Sequence, residues 1–425
     1  MDNKMMLRAP AVPLITVDPY FSVWSNTDRL NDSDPVHWTG KPNTICGVVE
    51  IDGKDYRFMG TGGGEPLTQT SLDITTMTTT YTFEGAGIKL TVRFFTPLFM
   101  DDLKIMTRPV SYLEVKAEPV DGSTHSLKLK LYASEELCLD KRDQYEVVTE
   151  TLDIDGVSAV RIGSKDQPVL EKKGDDIRID WGYFYMAAWC ADVAGYKCTD
   201  TNMNFVMLEK PFENKVLAVF AYDDVYSINY FGDKLKSVWN HDGKTIETAI
   251  REAFGDYDEL LKKAVEFDAK LWCDAVRAGG EKYAELLQLA YRQVIAAHKA
   301  VVDKDGELLF ISKECFSNGC AATVDVSYPS IPMFLIYNPE LVLGMMRPIF
   351  KYAASDDWKF DFAPHDAGQY PIVTGQVYGS NAESYQMPVE ECGNMLIMTA
   401  AAARASRDYS FAKAHLETLE GWTKY

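Results

Sequence analysis

The sequence predicts a β-rich first part followed by a helical second part. From about residue 8 to residue 250, short runs of Thr, Val, Ile, Tyr and Phe are bounded by Gly, Asp, Asn and Pro, which is typical of successive short strands. Near residue 250 the spacing of the apolar residues changes to that of helices. We therefore predict a β-sandwich-like domain over residues 1–250, a helical linker over residues 251–280 and a further domain over residues 281–425.

Alternation of apolar and polar residues predicts the individual strands. Residues 88–95 alternate in this way, and so do residues 126–131, where Leu127, Leu129 and Leu131 share one face. Turn dipeptides of the Asp-Gly type separate several of these runs. Many short strands in succession over this length indicate a large sandwich.

Helical spacing predicts the elements of the second part. Residues 253–275 carry apolar side chains on one face, and residues 281–302 form the clearest helix, with His298 on its apolar stripe. We interpret His298 as a core histidine. Asn338 and Pro339 begin a further helix as N-cap and first helical residue. Long loops rich in Pro and Gly join these helices, and loops of that length are usually functional.

Composition restricts the partners and the compartment. The chain has 425 residues, 46% of them hydrophobic, and a formal net charge of −20. This acidity argues against nucleic acid and anionic membranes, whose binding depends on clustered Lys and Arg. No apolar run reaches about 18 residues, so we expect no membrane span. Residues 1–6 lack the apolar stretch of a signal peptide, which leaves either a cytoplasmic protein or a signal that has been removed.

The cysteines do not form a recognisable framework. Eight of them are scattered through the chain, which favours free and mostly buried thiols. Cys315 and Cys320 are five residues apart, but no second pair completes a zinc site. We therefore expect neither a metal nor a cofactor.

Four blocks of sequence carry a family resemblance. Residues 7–25 read LRAPAVPLITVDPYFSVWS, and residues 316–320 and 323–330 read FSNGC and TVDVSYPS. Residues 365–371 read HDAGQYP, and residues 387–395 read MPVEECGNM. In this order the blocks resemble those of bacterial and fungal glutaminase A-like proteins, and several blocks of such length are more specific than one short motif.

The resemblance implies a fold and an activity. The implied fold is an N-terminal β-supersandwich followed by a partial (α/α)6 toroid like that of six-hairpin glycosidases. The implied activity is hydrolysis of L-glutamine to L-glutamate and ammonia, and the implied location is secreted or periplasmic. Family members continue past the position of Tyr425, so we expect a truncated chain or a domain completed by another chain.

The same blocks supply the candidate site residues. Hydrolysis of an amide or a glycosidic bond needs groups that accept and donate protons, and paired carboxyls provide them. The candidate catalytic residues are Asp325, Asp366, Glu390 and Glu391, and the candidate substrate-binding residues are His365, Tyr370 and Asn394. Each has a structural alternative: Glu390 and Glu391 as first-turn residues at a helix N-terminus, His365 and Asp366 as a pair that pins a loop, and Asp325 as a strand residue.

Three functional readings are open at this point. The first is an amidohydrolase acting on glutamine or a related small amide. The second is a glycoside hydrolase that uses two of the named carboxyls. The third is an inactive fragment that binds a small amide or carbohydrate without converting it. The oligomeric state is not indicated by the sequence.

Overall fold

The structure is a computed structural model that describes residues 8–378 and 382–425. Residues 1–7 lie outside the described residues. The prediction on the signal peptide concerns residues 1–6, and the first block of the family resemblance begins at Leu7. Within the described residues the chain forms five sheets, followed and partly interleaved by helices. Strands are numbered β1–β21 and helices α1–α8 in chain order.

Two large sheets make up the first part of the chain. The smaller sheets include the hairpin of β1 (Val12–Thr16) and β2 (Ser22–Ser25). The six-stranded sheet has the order β14-β15-β10-β3-β4-β5, with bounds β3 Ile45–Ile51, β4 Lys54–Met59, β5 Glu65–Pro66, β10 Leu127–Ser134, β14 Asp192–Lys197 and β15 Asn204–Phe212. The eight-stranded sheet has the order β11-β12-β13-β16-β9-β8-β7-β6, with bounds β6 Thr68–Ile74, β7 Thr78–Gly85, β8 Ile88–Phe95, β9 Val110–Pro119, β11 Val147–Ile154, β12 Val157–Ser164, β13 Tyr183–Trp189 and β16 Lys215–Asp223.

The two large sheets pack against each other as a sandwich. Strands β12, β13 and β16 of the larger sheet contact β14 and β15 of the smaller one. The alternation predicted for β10 is confirmed, because Leu127, Leu129 and Leu131 are buried while the lysines between them are partly exposed. Each fully buried leucine contributes about 1.5–3 kcal/mol relative to an exposed one. The alternation predicted for β8 is confirmed in the same way.

Five short strands form two further small sheets. Strand β17 (Ile228–Tyr230) pairs antiparallel with β18 (Asp233–Leu235) and parallel with β21 (Ile372–Val373), which lies far along the chain. Strands β19 (His298–Val302) and β20 (Leu308–Ser312) form a hairpin. The small sheet with β21 therefore ties a loop of the helical part to the end of the β part.

Helices dominate the chain after residue 245. After the short α1 (Leu103–Thr107), they are α2 Ile246–Gly279, α3 Glu281–Ala296, α4 Val324–Tyr337, α5 Pro339–Ala353, α6 Pro388–Ser406, α7 Ser410–Ala414 and α8 Leu416–Trp422. Helix α2 packs on β9 and β16, and α4, α5 and α6 contact one another. Asn338 caps α5 as predicted, since its side chain accepts a hydrogen bond from the Glu340 N–H. The predicted order, a β-sandwich followed by a helical part, is confirmed.

Two local predictions differ from the structure. The helix predicted over residues 281–302 ends at Ala296, because the β-branched Val301 and Val302 pair with β20 and continue the chain as β19. His298 is nevertheless a core residue, with its Nδ1 2.7 Å from the Val294 carbonyl oxygen and its ring stacked 4.4 Å from that of Phe310. Burial lowers the pKa of His298 to about 4.

Proline does not end helix α5. Pro348 lacks an N–H, and a proline inside a helix usually kinks or ends it, but α5 continues through Pro348 to Ala353. The residue four positions earlier is Gly344, whose backbone packs tightly against β20: a Cβ there would lie 3.0 Å from the Phe310 nitrogen. Packing of Met345, Met346 and Ile349 into the core stabilises the helix on both sides of the proline.

A buried ion cluster holds the helical part on the sandwich. Lys299 of β19 lies 2.7 Å from Asp18 Oδ2 and 2.8 Å from Asp224 Oδ2. The other carboxylate oxygen of Asp18 accepts the N–H groups of Tyr20 and Phe21, both at 2.9 Å. Nearby, the Tyr291 hydroxyl donates to the Leu98 carbonyl at 2.8 Å. Paired polar groups therefore connect the two parts of the chain across this seam.

Candidate active site

Three segments of the helical part converge at the candidate site. The first turn of α4 carries Asp325, the loop before β21 carries His365 and Asp366, and the first turn of α6 carries Glu391. Asp325 is thus a helical residue, not the strand residue considered from its β-branched neighbours. Helix α4 forms there because its apolar face, with Ile331 and Phe334, packs into the core.

Backbone hydrogen bonds fix the loop between the two helix starts. The Val324 N–H donates to the His365 carbonyl at 2.9 Å, and the Ala367 N–H donates to the Ala321 carbonyl at 3.0 Å. On the other side, the Ala363 N–H contacts Cys392 Sγ of α6 at 3.2 Å. The positions of His365 and Asp366 are therefore set by α4 and α6 together.

His365 lies between two carboxylates. Its Nδ1 is 2.9 Å from Asp366 Oδ2, and its Nε2 is 3.6 Å from Asp325 Oδ1. Asp366 is buried, and its second oxygen accepts the Gly368 N–H at 2.9 Å. Burial on its own lowers the pKa of His365, but the two carboxylates outweigh it and raise that pKa to about 10.

Glu391 is the most deeply buried carboxyl of the site. Its side chain is fully buried, and Asn394 Nδ2 is its hydrogen-bond partner, 3.5 Å from Oε2. Its Oε1 finds no partner among the residues that the structure describes. Burial raises the pKa of Glu391 to about 8, and the charge of His365 partly opposes that rise.

The pKa of Asp325 is shifted in the opposite direction to that of Glu391. Its side chain is 32% exposed, and the adjacent imidazole of His365 lowers its pKa more than burial raises it. The 3.6 Å separation is too long for a hydrogen bond, so we treat the contact as ionic. Within the described part of the chain, Asp325 Oδ1 has no hydrogen-bond partner. Two carboxyls with opposite pKa shifts and free oxygens therefore lie beside one imidazole.

Not all the predicted residues meet in this cluster. Asp325, His365, Asp366, Glu391 and Asn394 do so. The neighbouring Glu390, also in the first turn of α6, is exposed to solvent. The Tyr370 ring packs edge-on against Tyr20 at 5.2 Å and is buried in the seam with the β part.

Lys313 and Cys320 are both buried in the segment that leads to α4. The Lys313 ammonium group donates to the Gly174 carbonyl at 2.6 Å. Burial lowers its pKa. Cys320 is also buried, and burial together with Asp366 raises the pKa of its thiol, which does not favour a nucleophile.

Two sets of side chains bring metal-ligating atoms together. Asp325, His365 and Glu391 form one set, and Cys320, His365 and Asp366 form the other. In each set the ligand atoms lie within 4.8 Å of one another. Both sets share His365, which makes this imidazole the centre of the site.

Comparison with known families assigns the segment that contains this cluster. Residues 280–425 match the family model described as the glutaminase A six helical-hairpin domain. Residues 77–210 and 201–274 match a domain of unknown function, DUF5127, and residues 1–67 match another, DUF4964. Glutaminase A of Aspergillus oryzae is 27% identical over 98% of this chain.

The predicted resemblance to the glutaminase A-like family is confirmed.

A second relative is also named as a glutaminase. A probable glutaminase of Arthroderma benhamiae is 23% identical over 92% of the chain. The chain spans 66% of the length of the Aspergillus glutaminase A and 52% of that of the Arthroderma protein. Among solved structures, a bacterial glucoamylase complexed with acarbose aligns with 100% of this chain and 69% of its own, with 12% identity and a TM-score of 0.44.

The glutaminase A-like family thus accounts for the fold class. A β-sandwich precedes α/α hairpins, as the predicted supersandwich and toroid require. Every residue of the cluster falls in the six-hairpin match, and β1 and β2 fall in the first matched domain. In the described ranges, no helix is long and apolar enough to cross a membrane.

Proposed function

We propose that this chain carries the catalytic site of a glutaminase-like hydrolase, which converts L-glutamine to L-glutamate and ammonia. The observation that carries the proposal is the cluster of Asp325, His365 and Glu391. In it, two carboxyl oxygens that have no hydrogen-bond partner in residues 8–378 and 382–425 lie beside one imidazole. Unpaired buried polar atoms are costly to stability and are retained mainly where they act on a ligand. The relatives named glutaminase support the choice of substrate.

The reaction needs water, a place for the carboxamide and two proton transfers. Water adds to the carboxamide carbon, the C–N bond breaks, and the nitrogen leaves as ammonia with one proton that came from the water. The cluster provides groups that accept and donate protons, and their ligand atoms lie within 4.8 Å of one another. The nearly dry position of Glu391 strengthens its electrostatic interaction with the reacting atoms.

Residues at the edge of the cluster are assigned to binding. Asn394 contacts Glu391, and its amide is suited to a hydrogen bond with the carboxamide of the substrate. The exposed carboxylate of Glu390 is suited to the α-ammonium group. Asp366 positions His365 through their side-chain contact. The buried Tyr370 supports the site by packing against Tyr20 of the β part.

A glycoside hydrolase is the second candidate. It is favoured by an exposed aromatic pair, in which Phe316 lies edge-on at 5.2 Å from Trp38 and is 70% exposed. Aromatic faces bind sugars, and Phe316 lies on the loop that leads to Cys320 beside the cluster. Paired carboxyls serve glycosidases as well as amidases.

The decisive experiment compares two substrate classes on the full chain. Ammonia release from L-glutamine and chromophore release from aryl glycosides are measured side by side, with Aspergillus oryzae glutaminase A as the positive control for the first. We expect ammonia release only. Aryl-glycoside turnover without ammonia release would favour the second candidate. A folded chain that binds glutamine without releasing ammonia would contradict the proposal and favour a binding role.

A further inference from the structure

Two carboxyl oxygens and one imidazole nitrogen of the cluster face a common space. The three ligand atoms of Asp325, His365 and Glu391 lie within 4.8 Å of one another. Glu391 is fully buried, yet its Oε1 has no hydrogen-bond partner among the described residues, and the same is true of Asp325 Oδ1. A buried acceptor of this kind is normally paired with a donor or a cation. The position therefore suits an electropositive occupant.

The imidazole is oriented for that occupant by Asp366. His365 Nδ1 is bonded to Asp366 Oδ2 at 2.9 Å, and the other oxygen of Asp366 accepts the Gly368 N–H. Nε2 is consequently the nitrogen that faces the cluster. A carboxylate behind a histidine is the common arrangement around protein-bound metals, because it fixes the ring and its tautomer.

For Asp325 and His365, the spacing matches two ligands of one metal ion better than a hydrogen bond. Nε2 of His365 and Oδ1 of Asp325 are 3.6 Å apart, which is beyond hydrogen-bond range. Two ligands about 2.1 Å from a tetrahedral ion lie about 3.4 Å from each other. The set of Cys320, His365 and Asp366 fits less well, since both oxygens of Asp366 already accept hydrogen bonds.

We propose that Asp325, His365 and Glu391 bind one divalent transition-metal ion of the zinc class and leave a fourth position for water. One imidazole and two carboxylates suit Zn²⁺ or Mn²⁺, whereas Ca²⁺ and Mg²⁺ prefer oxygen ligands alone. Three protein ligands with an open position are typical of catalytic ions. Asp366 is then a positioning residue that acts through His365.

The catalytic consequence rests on the proposed function, whereas the binding of the ion does not. A metal-bound water attacks the carboxamide carbon, and the C–N bond breaks. One proton of that water ends on the leaving nitrogen, and the other is released from the product carboxyl group. The ion stays divalent throughout, so the reaction needs no oxidant or reductant.

The test begins with metal binding in the absence of substrate. The full chain is treated with a chelator, and ZnCl₂ is titrated into it by calorimetry. We expect one ion per chain, with affinity reduced at least tenfold in Glu391→Gln and in Asp325→Asn. Asp366→Asn should weaken binding by about 10–100-fold. Glu390→Gln is the matched control, because it removes the adjacent but exposed carboxylate, and it should keep the parental affinity.

Two outcomes would overturn the metal site. One is wild-type affinity no tighter than that of Glu391→Gln. The other, which needs no variant, is a Co²⁺-loaded wild-type chain that shows only the weak visible absorption of a six-coordinate ion. Ammonia release by the metal-free chain would contradict the catalytic role of the ion and leave the proposed function standing. Tight binding of the metal ion without ammonia release would support the metal site and contradict the proposed function.

Discussion

Two clusters of buried charge in this chain have opposite character. At the seam between the parts, Lys299 is paired with Asp18 and Asp224, and the remaining oxygen of Asp18 is also satisfied. At the candidate site, Glu391 and Asp325 each keep an oxygen without a partner in the described residues. A satisfied cluster specifies how parts of a fold fit together, whereas an unsatisfied one is available to a ligand. We propose that the first cluster holds the structure and that the second carries the proposed chemistry.

The largest effect on stability is expected from a substitution that breaks the paired cluster of Lys299, Asp18 and Asp224. Lys299→Met leaves Asp18 and Asp224 buried without their common counter-charge. Because breaking a buried pair exposes the full desolvation cost of the remaining charges, we expect the free energy of unfolding to fall by about 3–5 kcal/mol. Urea denaturation followed by circular dichroism measures this change. A loss below about 1 kcal/mol, the size typical of surface pairs, would mean that the cluster does not hold the seam.

The second prediction concerns the unsatisfied cluster. Glu391→Gln removes an acid that is buried with one unpaired oxygen, so we expect the free energy of unfolding to stay within about 1 kcal/mol of the wild type or to rise. Activity should fall by about 10²–10⁴-fold, the size of a lost proton-transfer group. Urea denaturation and ammonia release are measured on the same preparation. Strong destabilisation without loss of activity would reverse the roles of the two clusters.

The third prediction concerns how the stability of the fold depends on pH. Burial raises the pKa of Asp18, but Lys299 and two backbone N–H groups outweigh it, so that pKa lies below its usual value. A carboxyl with a lowered folded-state pKa stabilises the fold above its unfolded pKa and loses that contribution as the pH falls through the folded pKa. Wild-type stability should therefore decline below about pH 4.

The matched variant for this titration is Asp18→Asn. It should be less stable at neutral pH, and its stability should depend less on pH below about pH 4. Thermal melting temperatures across an acidic pH series measure both. Parallel curves for the two proteins would show that Asp18 is not coupled to the fold.

The smallest effect is expected at an exposed pair. Lys270 lies 2.8 Å from Asp274 one turn along α2, and both side chains are largely exposed. Lys270→Met should leave the free energy of unfolding nearly unchanged, since solvent screens such pairs. The urea curve measured for Lys299→Met provides the direct comparison. An equal loss in both variants would remove the distinction between buried and exposed charge.

Much of the fold follows from periodicity, and the exceptions have local causes. The alternation of Leu127, Leu129 and Leu131 predicts β10 because each side chain has one face to bury. The helix to residue 302 was predicted too long, because His298 and Val301 satisfy helical spacing as well as strand pairing. Pairing with β20 is a contact between separate segments, which spacing within one segment does not reveal.

The candidate site was predicted in part. Blocks of the family resemblance identify Asp325, His365, Asp366 and Glu391, which the structure brings together. The sequence does not distinguish Glu391 from Glu390, because adjacent helical residues point about 100° apart and burial depends on which face meets α4. Lys313 was also undetectable as a buried residue, since its partner is a carbonyl of the distant Gly174.

The most direct measurement is ammonia release from L-glutamine by the wild type and by Glu391→Gln, each shown to be folded by its urea curve. We predict release by the wild type and a loss of at least about 100-fold in the variant, with the two unfolding curves nearly superimposed. Equal release by both proteins, or no release by the folded wild type, would contradict the assignment of the unsatisfied cluster to glutamine hydrolysis.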